Sequence, residues 1–260
     1  MKQAPKYTPD FYVVAREPGA EHPAIPTWAN NSLNPANLEV DNAVQIQRID
    51  IDAVPGAFQL LDVLSPLECQ NLIQLSEELG YLADAAVSLP RSVRHNDSMT
   101  WVTDSLTADL IWQRCSRPVN HSLENFAGKK ALGLNARFRF YRYQKDDYFS
   151  PHTDGSWPGS AVKEGELIAN AFADRWSQLT FLLFLSDDYR GGGTEFYVDP
   201  ANPGSPASNP QQANVVSIKT PIGGVLCFPH GQHPLHCLHS SEPTLAGTKY
   251  IIRSDVLFEL

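Results

Sequence analysis

The sequence has no excess of positive charge and no long apolar run. Its 260 residues carry 20 Lys and Arg against 29 Asp and Glu, a net charge of −9. That balance lacks the basic footprint of a nucleic-acid-binding protein, and its field disfavours an anionic membrane surface. No apolar stretch approaches the roughly 20 residues that cross a bilayer. The opening MKQAPKYTPDFYVV has no apolar segment after its lysines, so no signal peptide is expected and a cytoplasmic location is. Cysteine is scarce. Cys69, Cys115, Cys227 and Cys237 form no CxxC pair, and buried free thiols are expected. Charged residues make up only 19% against 42% hydrophobic, which excludes a disordered chain. The length fits one barrel-sized or sandwich-sized domain, and nothing in the pattern sets an oligomeric state.

The pass along the chain predicts an arm and a body. Residues 1–45 are rich in Pro, Asn and Ala, show no sustained period, and are expected to be an extended arm packed through Phe11, Tyr12 and Trp28. The body, 46–260, opens near VQIQRIDID, where Val44, Ile46, Arg48 and Asp50 alternate with their neighbours in a β pattern. AFQLLDVL reads as a strand. SPLECQNLIQLSEELG reads as a helix: Ser65 is the N-cap, Pro66 lies in the first turn, Glu68 completes a capping box and Gly80 closes the end. Leu67, Leu72, Leu75 and Leu79 give it an apolar face. A second helix is predicted over 105–115, ended by Pro118. From 136 the period becomes two. Arg137, Arg139, Tyr141 and Tyr143 oppose Phe138, Phe140 and Arg142. SQLTFLLFLS reads as a strand buried on both faces, DDYRGGGTEFYV as a hairpin turned by its glycines, and 199–214 as a polar loop. Three more strands follow. Two early helices and many short strands predict a mostly β, α+β architecture with helices against a sandwich or jelly roll.

Two features carry chemistry. In PHTDG, His152 and Asp154 are two apart, so on an extended chain both point to one side. An imidazole beside a carboxylate can chelate a divalent cation, but two ligands hold it poorly, and by itself the motif is weak. The third ligand is expected to be a histidine from elsewhere. FPHGQHPLHCLHSSEP offers four, His230, His233, His236 and His239. A self-contained zinc site there is disfavoured, because structural zinc favours cysteine and Gly231 and Pro234 prevent a helix that would align all four. Most of His230, His233 and His236 are expected to be solvated loop residues. Ten residues beyond His239 stands Lys249, on a β pattern that puts Lys249, Ile251 and Arg253 on one inward face. Buried cations need anionic partners. Internal pairing with Asp255 or Glu195 is the simplest account, and an anionic ligand is the other.

With those residues in view, the chain resembles the iron(II)- and 2-oxoglutarate-dependent oxygenases, in their prolyl 4-hydroxylase-like branch. The resemblance rests on FYRYQKDDYFSPHTDG, LTFLLFLSDDYRGGGTEF, GGVLCFPHG and HSSEPTLAGTKYIIRSDVLF in that order, and spans about 46–260. It implies a double-stranded β-helix, the cupin-like jelly roll. It also implies an iron(II) triad of His152, Asp154 and His239, with 2-oxoglutarate held by Lys249 or Arg253 and Tyr143 beside it. Arg94 and Asn96, in LPRSVRHNDSMTW, become expected substrate contacts. The implied reaction uses dioxygen, with ascorbate a candidate reductant, to hydroxylate a peptidyl (prolyl included) or free amino-acid side chain. The partner is then a peptide or small molecule. The family's middle glycine and following tyrosine before the first histidine are missing, and Phe149 takes the tyrosine's place. The insert 155–175 is expected to act as a lid. Three readings compete: a non-catalytic metal-binding jelly roll, an oxygenase for a small molecule unrelated to amino acids, and a metal hydrolase using Glu195.

Overall fold

The structure, a computed structural model, describes residues 6–40, 45–85, 89–121 and 126–260. A period of two organises it. In the strand Arg137–Tyr143, Phe138 and Phe140 enter one hydrophobic cluster while Tyr141 and Tyr143 enter another. Lys249–Glu259 does the same, sending Ile252, Val256 and Phe258 one way and Ile251 the other. Arg175–Phe184 sends Leu179, Phe181 and Leu183 to the first cluster and Leu182 and Phe184 to the second. These three strands are adjacent and antiparallel, and form the middle of a ten-stranded sheet. Beyond Arg175–Phe184 come Val225–Pro229, Phe58–Leu61 and Gln47–Asp50; beyond Arg137–Tyr143 comes Asp97–Val102.

One face of this sheet packs on two helices, whose Leu72, Leu75, Ile111 and Cys115 join the larger cluster. The other face meets a five-stranded sheet ordered Asn214–Ile218, Thr194–Val198, His239–Ser241, Tyr148–His152 and Arg94–His95. Phe196 and Val198 of that sheet pack with Tyr141, Phe184 and Phe228 of the large one. Each fully buried Phe or Leu contributes about 1.5–3 kcal/mol. The helix side carries most of them, so the side between the sheets can hold polar groups. The result is a mixed α/β fold of two facing sheets with flanking helices. No described helix is long and apolar enough to cross a membrane.

Several sequence expectations gain detail or need correction. Within the expected arm, Phe11–Glu17 and Ile25–Asn30 pair antiparallel, and the second joins Asp97–Val102 in parallel near the sheet's edge. A register shift between Val13 and Ala15 hides the period there. Val44 lies outside the described residues. The helix Pro66–Leu79 has its expected capping box, but Leu67 is exposed. At 3.6 residues per turn it sits about 140° from Leu72. The second helix runs Ser105–Val119, with Pro118 inside its last turn. The Asn120 N–H closes that turn on the Ser116 carbonyl. DDYRGGGTEFYV is not a hairpin. It carries the chain from one sheet to the other, and Gly191 and Gly192 take the positive φ the crossing requires. All four cysteines are free and buried as expected; burial pushes their thiols up, Cys69 and Cys237 to about 12.

One polar device ties the helices to the body. Glu68 is 1% exposed and accepts from the N–H of Ser65 and of Glu39, and from both terminal nitrogens of Arg114. Burial alone would raise its carboxyl, but Arg114 and the two backbone donors outweigh that and hold it low. Its contribution is therefore present above the ordinary value of 4.5 and lost as pH falls below it. Glu68→Ala should lower unfolding free energy by about 3–5 kcal/mol, the loss typical when one partner of a buried pair is removed. Urea denaturation measures it, and Glu68→Gln should lose less.

Candidate metal centre

Tyr148–His152 and His239–Ser241 pair antiparallel with His239 directly opposite His152. Directly opposed residues bring their side chains together on one face, and here the imidazole centroids lie 4.2 Å apart. Asp154 follows two residues after His152. One ligand atom from each of His152, Asp154 and His239 lies within 4.8 Å of the others. The hydrogen bonds fix the tautomers. His152 Nδ1 lies 2.8 Å from the Ser150 carbonyl and His239 Nδ1 lies 3.1 Å from the Cys237 carbonyl. A carbonyl only accepts, so each Nδ1 carries the proton and each Nε2 presents a lone pair. Those Nε2 atoms are the ones facing Asp154, at 3.8 and 3.7 Å. Burial holds both imidazoles below their ordinary pKa, His152 at about 3, so neither proton competes for the lone pair near neutrality. Phe149 stacks on the His152 ring at 3.6 Å and restricts its rotation. Two neutral imidazoles and one carboxylate on one side of a cavity suit non-haem iron(II).

Asp154 is buried, which by itself would raise its carboxyl. Arg253 and the surrounding imidazoles outweigh this and keep it ionised. Arg253 Nη2 lies 3.5 Å from Asp154 and 3.0 Å from Asp255. Desolvation disfavours that guanidinium, but the two carboxylates more than compensate and raise its pKa.

Lys249 differs. It is 1% exposed, and its ammonium donates to the Gly192 carbonyl at 2.6 Å and the Ser241 hydroxyl at 3.0 Å. Both partners are neutral, and no described carboxylate forms an ion pair with it; the expected alternative, Glu195, instead accepts from Ser240. Desolvation lowers its pKa to about 7. The ammonium lies 4.9 Å from the Tyr143 ring centroid. Lys249, Tyr143, Arg253, Arg94 and all three triad residues line one cavity.

Arg94 is buried at the cavity wall, 5.5 Å from the Tyr141 ring and 5.8 Å from that of Phe149. Asn96 is also buried but does not line the cavity: its amide donates to the Asp97 carbonyl and its Oδ1 has no partner. Of the expected lid, Gly155 and Trp157 reach the cavity, while Ala161–Lys163 and Glu166–Ile168 form a separate hairpin. Glu195 does not line it.

The histidine cluster departs from expectation. His236 is exposed, but His230 and His233 are buried at 1% and 4%. His233 packs on Phe126. His230 lies between Ser177 and Thr180, and Thr180 donates to Asp154 at 2.7 Å. Sequence reasoning missed Ser177 and Thr180. The available signal was two hydroxyls in a strand otherwise apolar on both faces, where each needs a partner.

No family model matches the chain, and no curated protein matches it. Solved structures resemble it at low identity. One is the viral collagen prolyl hydroxylase of Paramecium Bursaria Chlorella virus-1 with 2OG: 16% identity over 84% of this chain and 98% of that one, TM-score 0.47. A Pseudomonas putida prolyl-4-hydroxylase gives 13% identity over 78% and 93%, TM-score 0.48. The non-heme alpha ketoglutarate dependent epimerase SnoN from nogalamycin biosynthesis gives 14% over 79% and 78%, TM-score 0.45. At these values the chemistry has to be argued from the site itself.

His239→Ala should weaken Mn(II) or Co(II) binding by at least about 100-fold, beyond the roughly 10–100-fold that outer contacts supply. Titration calorimetry on the metal-free protein measures it. His236→Ala, at an exposed ring, should leave the affinity unchanged.

Proposed function

We propose that this protein is an iron(II)- and 2-oxoglutarate-dependent oxygenase with a double-stranded β-helix core. The observation that carries this reading is Lys249. A metal kept for stability alone needs no cation beside it, and a buried ammonium held by two neutral oxygens is costly. A dicarboxylate that chelates the metal at one end and meets Lys249 at the other accounts for both. Arg253 is already committed to Asp154 and Asp255, which favours Lys249 over Arg253 as the cosubstrate cation. Two facing sheets with the triad at the cavity between them support the β-helix assignment.

Iron(II) held by His152, Asp154 and His239 would, with 2-oxoglutarate and dioxygen, supply oxidation of an unactivated C–H bond coupled to decarboxylation of the keto acid. The chain's own part is positional. The neutral Nε2 atoms and the carboxylate would hold the metal. Lys249 and Ser241 would bind a carboxylate of the cosubstrate, with Tyr143 walling that end. Leu182, Ile251 and Phe149 keep water from the cavity. Arg94 is the remaining cation on the wall and has no described carboxylate partner, so we assign it to a carbonyl or carboxylate of the substrate. That favours a peptidyl or free amino-acid side chain as the hydroxylated group. Asn96 then acts only through the bend that joins Arg94–His95 to Asp97–Val102.

Incubation with iron(II) and 2-oxoglutarate should release succinate; uptake of iron without succinate would identify a non-catalytic metal module. Lys249→Ala should raise the half-saturating 2-oxoglutarate concentration roughly 10- to 150-fold, the equivalent of about 1.5–3 kcal/mol for a charge-assisted bond. Lys249 titrates near 7 in the free protein, and a bound carboxylate raises that value. Binding above pH 7 therefore takes up a proton, and affinity falls by up to about tenfold per pH unit as pH rises, while below 7 it is flat. Calorimetry in buffers of different ionisation enthalpy reads the proton directly.

A further inference from the structure

The hydrogen bonds behind Asp154 have a defined direction. Asp154 is ionised and can only accept, so the Thr180 hydroxyl gives its single proton to Asp154 Oδ2, at 2.7 Å. Thr180 Oγ1 must then accept from His230 Nδ1, also at 2.7 Å. A neutral His230 protonated at Nδ1 has its lone pair on Nε2, which accepts from the Ser177 hydroxyl at 2.9 Å. Ser177 Oγ in turn accepts the backbone N–H of Trp157 at 2.8 Å, while the Ser177 N–H donates to the Trp157 carbonyl at 2.9 Å. The chain of bonds thus runs from the cavity wall to the carboxylate without a break.

The backbone presses the same groups together. The Gly231 N–H donates to the Asp154 carbonyl at 3.0 Å, and the His230 N–H donates to Gln178 at 3.0 Å. Gly231 has φ +66, and a Cβ there would lie 1.7 Å from the Ser156 hydroxyl. The His230–Gly231 turn therefore holds Asp154 directly at its backbone carbonyl and, through Thr180, at its carboxylate, and a Cβ at Gly231 would force Ser156 to move.

We propose that Ser177, His230 and Thr180 are positioning residues: a directed relay that fixes the rotation of the Asp154 carboxylate and couples it to the cavity wall at Trp157. The inference rests on reading His152, Asp154 and His239 as a metal site. A metal bound at Asp154 would fix the carboxylate to which Thr180 donates, and through the relay would order the Trp157 segment that borders the cavity.

The test uses Co(II) alone, added to the full metal-free chain. Thr180→Val, which keeps shape and removes the hydroxyl, should weaken Co(II) binding about 10–100-fold, the scale of an outer-contact loss. Thr180→Ser should restore it to within about threefold of the unmodified chain. Hydrogen exchange at the Trp157 amide should slow when Co(II) binds the unmodified chain. It should not slow in His230→Asn, whose shorter amide reaches Thr180 but not Ser177. A merely structural role predicts lower thermal stability with Co(II) affinity and metal-dependent exchange unchanged. Affinity in Thr180→Val within threefold of the unmodified chain overturns the relay, as does Trp157 exchange that is indifferent to metal. Where a variant fails to fold, exchange in the unmodified chain still overturns the relay if the Trp157 amide ignores the metal. An unmodified chain that binds no Co(II) removes the metal reading itself, which separates the two failures.

Discussion

The register that sets His239 opposite His152 is the constraint on which the site depends. A slip of one residue turns every side chain to the other face of the sheet, and would point one imidazole away from the cavity. Packing holds the register from both sides. Phe196, on the next strand, sits opposite His239 and packs edge-on against Phe228 of the large sheet. Phe149 sits opposite Ser241 and stacks on His152. The large sheet has its own anchor, with Lys249 opposite Tyr143. Two registers, fixed in different sheets, thus aim a ligand set and a cation into one cavity.

The polar side of the core is tolerated because the other side is dry. The cluster beneath the helices contains Phe138, Phe140, Phe181 and Leu179 packed on Leu72 and Ile111, with few polar atoms among them. Between the sheets, Arg139, Arg253, Asp154, Asp255 and His230 share a small buried volume. Not every atom there is hydrogen-bonded: Arg139 Nε, Arg253 Nε, and the Arg139 Nη1 and Asp255 Oδ2 that face each other at 3.6 Å lack hydrogen-bond partners. Desolvation of this kind is stabilising only when the geometry is close to ideal. The region between the sheets therefore costs stability that the helix-side cluster supplies.

Much of this was legible in the sequence, for reasons that can be named. The spacing of His152 and Asp154 is local, and the period-two run from 136 assigned Tyr143 its face correctly. Ser65 and Glu68 announced their helix through a reciprocal pair of bonds, which structure bears out. What failed was nonlocal. The crossing at Gly191–Gly193 reads as a hairpin because local glycine chemistry does not say which sheet the next strand joins. Phe11–Glu17 was missed because its alternation breaks at a register shift. His230 looked like a loop histidine because its partners, Ser177 and Thr180, lie about 50 residues earlier, in a strand whose apolar neighbours dominate the pattern.

If the triad holds a metal as proposed, charge accounting links that metal to the second ligand. Asp154 and Asp255 balance Arg139 and Arg253 by count, and Lys249 and Arg94 remain on the cavity wall without a described ion-pair partner, Lys249 feeling only the more distant charge of Glu242. A divalent cation bound alone would raise the excess from two positive charges to four. A dianion bound alone would cancel it but would face Asp154 without a metal between them. Bound together, they return the cavity to its starting balance while each meets opposite charge: the metal on Asp154, the dianion on Lys249 and the metal. In a medium of low effective dielectric such imbalances are felt strongly. On the reading proposed above, each ligand would therefore raise the affinity of the other by the same factor, as linkage requires, and a buried lysine with neutral hydrogen-bond partners would favour a doubly charged acid.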